Sequence, residues 1–217
     1  PMPNAEGYPD LAAYLEQNTK KGGFWGHTDA YLISLLKAYF GDRATADNDF
    51  CFDYLPRISG DHSTYPTTLA MLDGKVKGYF LFGENPAVGS ANSGLHRKAM
   101  AKLDWLVVRD LVEIESASFW RDAPEIESGE LRTDDIATEV FLLPAASHVE
   151  KEGSFTNTQR LLQWREKALD PKGDCRSDLW FMYHLGNRLR EKLAGSSDPK
   201  DRAVLDLTWD YPTSGPH

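Results

Sequence analysis

Between Lys77 and Val108 the chain sets two short, unbroken apolar runs on either side of a helix-length segment, and no other feature narrows the fold so far. Gly78–Phe82 (GYFLF) and Trp105–Val108 (WLVV) lack the apolar/polar alternation of a strand with one wet face. Unbroken runs of this length suit strands buried on both faces. Gly83-Glu84-Asn85-Pro86 breaks the first run. Asn92 or Ser93 can cap a helix that carries Leu95, Ala99 and Leu103 at i, i+4 and i+8. Strand, loop, helix and strand within about thirty residues is the size of one parallel crossover unit. The pattern predicts an α/β fold with an open parallel sheet flanked by helices, right-handed crossovers and cover on both sheet faces.

The remaining segments extend this scheme. Glu139–Leu143 (EVFLL) reads as a third strand, stopped by Pro144. Thr28–Phe40 reads as a helix capped by Thr28, with Leu32, Leu35, Leu36 and Phe40 on one face and Gly41 ending it. Tyr65–Asp73 reads as a short helix closed by Gly74. Ser177 or Asp178 starts a helix to about Leu193, with Leu179, Met182, Gly186, Leu189 and Leu193 on one side. Residues 42–56, the acid-rich Ser116–Asp135 and the polar Glu150–Arg160 read as loops. The expected organisation is a helical and loop lead-in over 1–60 packed on the main domain, an α/β domain over 61–197, and a C-terminal extension over 198–217. The end of that extension, Thr213–His217, is expected to fray.

Charge and cysteine content exclude several function classes. Twenty-four basic against 33 acidic residues give a net charge of −9, with Arg and Lys interleaved among Asp and Glu. A basic stripe to meet phosphates is missing, so no nucleic-acid partner is expected. No apolar run approaches the roughly 18 residues of a membrane helix, so no direct membrane insertion is expected, and this stretch carries no signal-peptide pattern. Cys51 and Cys175 form no C-x-x-C pair and so make no zinc or iron–sulfur motif. His27, His62, His96, His148, His184 and His217 show no metal-ligand spacing. There is no nucleophile elbow and no defensible acid–base carboxylate pair, so neither catalytic nor metal residues are expected in this chain.

Four places carry binding chemistry, each beside a plainer reading. Gly83 lies beyond the carboxyl end of the first strand, where open α/β sheets bind ligands. Asn85 there offers a donor and an acceptor, and the next helix could aim free N–H groups at a phosphate. A simple turn explains the same residues. Asp110, directly after the WLVV strand, is placed to accept from a ribose diol, or is a solvated strand end. Arg109 beside it reads as a surface charge or a phosphate contact. Lys151 in Glu150-Lys151-Glu152-Gly153 could meet a phosphate or purine, with Gly153 bending the loop, or belong to a solvated charge run. Asp178 is a helix N-cap, or a carboxylate that accepts two N–H groups from a guanine edge.

At these residues the chain resembles a known family. The runs GYFLFGENPAVGSAN, KLDWLVVRDLVEIESASFWRD, TEVFLLPAASHVEKEGSFTNTQRLLQWR and RSDLW follow in the order and spacing of the catalytic alpha subunit of molybdopterin formate dehydrogenases of the formate dehydrogenase N kind. YLPRISGDHSTYPTTLAMLDGKVKGYF and VLDLTWDY share the likeness, which spans about residues 50–210. The resemblance implies a Rossmann-like domain holding one molybdopterin guanine dinucleotide of a bis-pterin molybdenum or tungsten centre. Its nucleotide contacts would fall on Asn85, Asp110, Lys151 and Asp178, beside Gly83, which is read as cofactor-binding from its place beyond the strand end. It implies formate oxidation to CO2 with electron transfer, or the reverse, by a longer subunit of which this chain resembles an internal fragment. The iron–sulfur cluster, the metal's cysteine or selenocysteine ligand and the neighbouring His and Arg have no counterpart here, so the chain by itself is expected to be inactive. Implied partners are the remaining domains of the same subunit, an iron–sulfur subunit and a membrane cytochrome subunit. The implied setting is a periplasmic or membrane-associated complex, with a cytoplasmic one left open. The rival readings are a free-standing nucleotide-binding domain and a non-enzymatic interaction domain.

Overall fold

The structure, a computed structural model, describes residues 3–209 and 211; the expected frayed end at Thr213–His217 lies outside the described residues. In chain order the elements are α1 (Leu11–Asn18), α2 (Thr28–Phe40), α3 (Thr64–Leu72), β1 (Gly78–Phe82), α4 (Pro86–Gly89), α5 (Ser93–Met100), β2 (Trp105–Asp110), α6 (Glu115–Asp122), α7 (Pro124–Glu127), β3 (Glu139–Pro144), β4 (Gly153–Thr156), β5 (Leu162–Arg165), α8 (Asp178–Leu193) and α9 (Arg202–Leu205). Two packed units result. Among the described residues, one comprises those up to Gly60 with those from Tyr183 onward, and the other is Asp61–Met182. The second division falls inside α8, not at residue 197 where the sequence turns polar.

The first unit is built on α2. Leu32, Leu36 and Phe40 are buried with Leu11, Phe52 and Leu55. Asp10 caps α1 by accepting the Ala13 N–H at 2.8 Å. The chain after α9 returns to α2, where the Thr208 N–H donates to the Tyr39 carbonyl at 2.6 Å. Trp209 lies against Gly186 of α8, where a Cβ would stand 2.7 Å from the indole. That contact and Tyr183, whose ring lies 5.6 Å from Trp209, assign the distal part of α8 to this unit. The stretch Ala46–Tyr54, read as loop, holds 3₁₀ turns with Asp49, Phe50 and Cys51 at φ 50°, 55° and 64°. Asn48 holds that left-handed run by accepting the N–H groups of Thr45 and Cys51.

The second unit is a mixed α/β arrangement around a three-stranded, fully parallel sheet in the order β1-β2-β3. Leu81, Leu106 and Val108 point from one sheet face into a core completed by Met71, Ala99, Met100, Leu103 and Phe119. The opposite face carries Phe80, Phe82 and Trp105, and Phe181 at the start of α8 packs on the two phenylalanines. The cover expected on both faces is incomplete, since Phe80 and Phe141 of that second face remain exposed. Gly78 opens β1 because the Trp105 indole lies flat across it; a Cβ would stand 1.9 Å from the ring.

Two expected loops are ordered elements. Ser116–Asp135 contains α6 and α7, and Glu150–Arg160 enters the antiparallel β4–β5 hairpin, with Asn157 accepting the Gln159 and Leu161 N–H groups in its turn. Helix α6 has no local cap. Instead Asn85, from the break after β1, accepts both the Ser116 N–H (3.1 Å) and its hydroxyl (2.8 Å). The small buried residues Ser116, Ala117 and Ser118 let this helix sit close to its neighbours.

A buried ion pair ties α5 to α7. Arg97 donates to Glu125 through Nε (2.6 Å) and Nη2 (2.9 Å), and also to the Ala87 carbonyl of α4. Both side chains are about nine-tenths buried. Hydrogen bonding from Arg97 holds the Glu125 carboxyl below its ordinary range. Replacing Arg97 with Met should therefore cost about 3–5 kcal/mol, because it strands a buried carboxylate. The lowered folded value makes the native pair's contribution complete above the ordinary carboxylate pKa of about 4.3, and lost as pH falls through the folded value. Urea denaturation of both proteins across pH 3–7 checks this. A stability gap that stays constant as the medium is acidified contradicts the assignment. Gly78→Ala should cost about 1–3 kcal/mol by displacing the indole, measured the same way.

Candidate functional site

The three parallel strands end together, and a crevice of about 420 Å³ opens beyond their carboxyl ends. That size lies within the roughly 300–1,000 Å³ of small-ligand sites. Its walls include Gly83 from β1, Arg109 and Asp110 from β2, the Ala145–His148 turn after β3, Lys151, and Asp178 at the start of α8. Gly83, Asp110, Lys151 and Asp178, far apart in sequence, thus face one space.

Each is set by its backbone. β2 runs two residues beyond its expected end, so Asp110 is its last residue, paired with Pro144. The Asp110 Oδ1 accepts the Leu111 N–H at 2.7 Å, and among the described residues the carboxylate has no cation partner. Gly83 continues the ladder by donating to the Arg109 carbonyl at 3.0 Å, and then turns at φ 63°. A Cβ there would meet nothing within 4 Å, so conformation rather than space favours glycine.

Arg109 is neither a surface charge nor a solvent-facing anion contact: its side chain is 1% exposed. Its Nη2 donates to the Arg176 carbonyl at 2.7 Å and its Nη1 to that of Ser177 at 3.4 Å. The Arg109 guanidinium lies 4.5 Å from the Phe181 ring centroid and 5.7 Å from that of Phe82. Its Nη1 also lies 3.3 Å from the Asp178 Oδ1. Burial pulls the guanidinium pKa down, and Asp178 pushes it back up. Its burial leaves no mark in the sequence, because a charged side chain at a strand end usually reaches water.

Ser177, not Asp178, caps α8: its hydroxyl accepts the Trp180 N–H at 3.1 Å. Asp178 is therefore free of the capping task. Its Oδ1 faces Arg109, its Oδ2 takes Lys151 Nζ at 2.9 Å, and its side chain is still 46% exposed. Lys151 is thus an ion-pair partner, at 29% side-chain exposure, and not one of a row of solvated charges. The segment before α8 is fixed from both sides, since Arg176 bridges to Ala145 and accepts the Ala146 N–H at 2.8 Å.

Asn85 does not line the crevice. Its Nδ2 donates to Glu115 at 2.6 Å while its Oδ1 holds Ser116. This hydrogen bond lowers the Glu115 pKa. The N-terminus of α5 is likewise absent from the crevice walls, since the short α4 intervenes. Among the described residues no group of three or more His, Cys, Asp or Glu could hold a metal, and no helix is long and apolar enough to cross a membrane.

A parallel sheet with a charged crevice past its strand ends is the arrangement of a Rossmann-like α/β domain. Comparison with known proteins shows what it is similar to. Residues 140–188 match the family model described as Molybdopterin oxidoreductase. It is 37% identical over 96% of its length to formate dehydrogenase 2 subunit alpha (cytochrome c-553) of Nitratidesulfovibrio vulgaris, covering 21% of that protein. It is 34% identical over 95% of its length to the formate dehydrogenase-O major subunit of Escherichia coli K12, covering 21% of it. It is 32% identical over 97% of its length to formate dehydrogenase subunit alpha of Megalodesulfovibrio gigas, covering 20% of it. The chain therefore spans about a fifth of the length of the curated relatives it matches. The matched family implies a molybdopterin cofactor.

The two cations on Asp178 differ in what their loss should do. Lys151→Met removes a half-exposed pair, worth about 0–1 kcal/mol. Asp178→Ala leaves Arg109 buried without its carboxylate, and should cost about 2 kcal/mol, below the 3–5 of a fully buried pair because Asp178 is half-exposed. Hydrogen exchange over residues 176–183 should rise clearly for Asp178→Ala and little for Lys151→Met. Equal rises would contradict the inequality of the two contacts.

Proposed function

We propose that this chain belongs to a formate dehydrogenase catalytic subunit, and that its crevice grips the nucleotide end of one molybdopterin guanine dinucleotide. The observation that carries the reading is the convergence of Gly83, Asp110, Lys151 and Asp178 beyond the strand ends. The donor set fits a guanosine group. Asp178 presents a half-exposed carboxylate, which can accept from the adjacent N1–H and N2–H of guanine. Asp110, without a cation of its own, can accept from a ribose diol. Lys151 supplies a cation to a phosphate or to the purine oxygen. Gly83 leaves open space where a side chain would stand.

Asn85 acts at one remove. By holding Ser116 and Glu115 it fixes the loop that follows Gly83. When bound, the pterin and its metal supply the two-electron chemistry between formate and CO2, while the protein orients the cofactor and shapes its field. The metal, molybdenum or tungsten, an iron–sulfur cluster and further subunits belong to the rest of the proposed enzyme. A periplasmic or membrane-associated complex is the setting this reading favours.

Asp110→Ala in the complete gene product, expressed in a host that makes the cofactor, should lower molybdopterin and metal content together, by about tenfold for the loss of a charged acceptor. Formate-dependent dye reduction should fall in proportion, with activity per bound metal unchanged. Full cofactor content in that variant would sink the assignment of Asp110. A wild-type protein free of both pterin and formate activity would return the domain to ordinary nucleotide binding.

A further inference from the structure

The nucleotide reading, on which this inference rests, leaves open what aims the Asp178 carboxylate. A carboxylate in the first turn of a helix has several rotamers, and only some present both oxygens to one ligand edge. Asp178 sits half-exposed in a charged crevice, where Lys151 alone would hold it weakly. The second contact comes from below. Arg109 reaches out of the sheet, fully buried, and faces the Asp178 Oδ1 while holding the carbonyls of the two preceding residues, Arg176 and Ser177. One planar group thus fixes both the backbone that carries Asp178 and the orientation of its carboxylate. Phe82 and Phe181 pack on the guanidinium and limit its own freedom.

The geometry points to Arg109 as a positioning residue for base recognition: it touches no ligand itself, but sets the Asp178 carboxylate so that the site selects guanine over purines lacking the 2-amino group. Lysine cannot replace it fully. A single ammonium has the charge but not the planar fork that spans two carbonyls and a carboxylate. Loss of Arg109 should therefore lower discrimination between bases more than it lowers binding as such, because phosphate and ribose contacts at Lys151 and Asp110 persist.

The test compares GDP with IDP, which lacks only the 2-amino group, on the complete gene product made without cofactor. The wild type should prefer GDP by about tenfold or more, the size of one hydrogen bond to a charged acceptor. Arg109→Met and Arg109→Lys should bring that preference to within about twofold to threefold. In an Asp178→Asn background, adding Arg109→Met should change the ratio no further, as expected if Arg109 acts through Asp178. If Arg109→Met does not fold, Arg109→Lys decides. An unchanged GDP/IDP ratio in a folded Arg109 variant, with both affinities lowered equally, would make Arg109 merely structural and overturn the inference. Separate losses of preference that multiply in the double variant would overturn it as well. Failure of the wild type to bind GDP at all would instead refute the nucleotide site, and the inference with it.

Discussion

A cation buried at the end of the central strand is the constraint on which the crevice depends. Arg109 cannot shed its charge, and leaving it unpaired in an apolar setting would cost several kcal/mol. The chain meets that demand with carbonyls from Arg176 and Ser177, the carboxylate of Asp178 and two aromatic faces. Meeting it draws the start of α8 onto the carboxyl end of β2. The neighbouring bridge from Arg176 to Ala145 then fixes the same segment beside β3. The crevice walls are thus set largely by partnering the two terminal nitrogens of one buried guanidinium, whose Nε stays without a hydrogen bond, and the exposed groups inherit their positions from it.

The sheet contributes the other half of the placement. Parallel strands in register end on one side, so residues just past β1, β2 and β3 face the same space although long stretches of chain separate them. Gly83 and Asp110 reach it directly from strand ends, and Lys151 through the turn that follows Ser147. Asn85 serves the arrangement from outside, since its hold on Ser116 keeps α6 against the break after β1. The buried Arg97–Glu125 pair joins α5 to α7 away from the crevice walls. Changes there should affect stability with little effect on what the crevice contacts.

What was legible in the sequence follows the same division. β1, β2 and β3 were readable because strands within an α/β sheet are apolar without interruption. The placement of Gly83 and Asp110 on one crevice was readable because parallel strands in register end on the same side. Lys151 and Asp178 rose above their plainer readings through the family's motifs, not through any local pattern. Helix α6 was hidden because its cap is Asn85, 31 residues upstream, where no local signal could show it. The β4–β5 hairpin was hidden by its polar, turn-rich composition. The burial of Arg109 was hidden because its partners are backbone carbonyls 67 and 68 residues away, and carbonyls leave no trace in side-chain identity. The division within α8 depends on Gly186 and Trp209 meeting, and only the folded chain shows that contact.

The two cations on Asp178 separate aim from availability. Lys151 holds Oδ2 in a partly solvated pair, and such a pair contributes so little that ligand N–H groups can replace it at small cost. The Lys151 ammonium, once released, stays within reach of the same crevice, where an anionic group would take the place of the carboxylate. Arg109 cannot be displaced in this way, because every route out of its cage leaves a buried charge or two stranded carbonyls. A carboxylate held by one fixed and one exchangeable cation can therefore change partner without changing direction. In the proposed guanine site, two exposed cations would leave the carboxylate able to bind without discriminating, and two buried ones would leave it aimed but already satisfied.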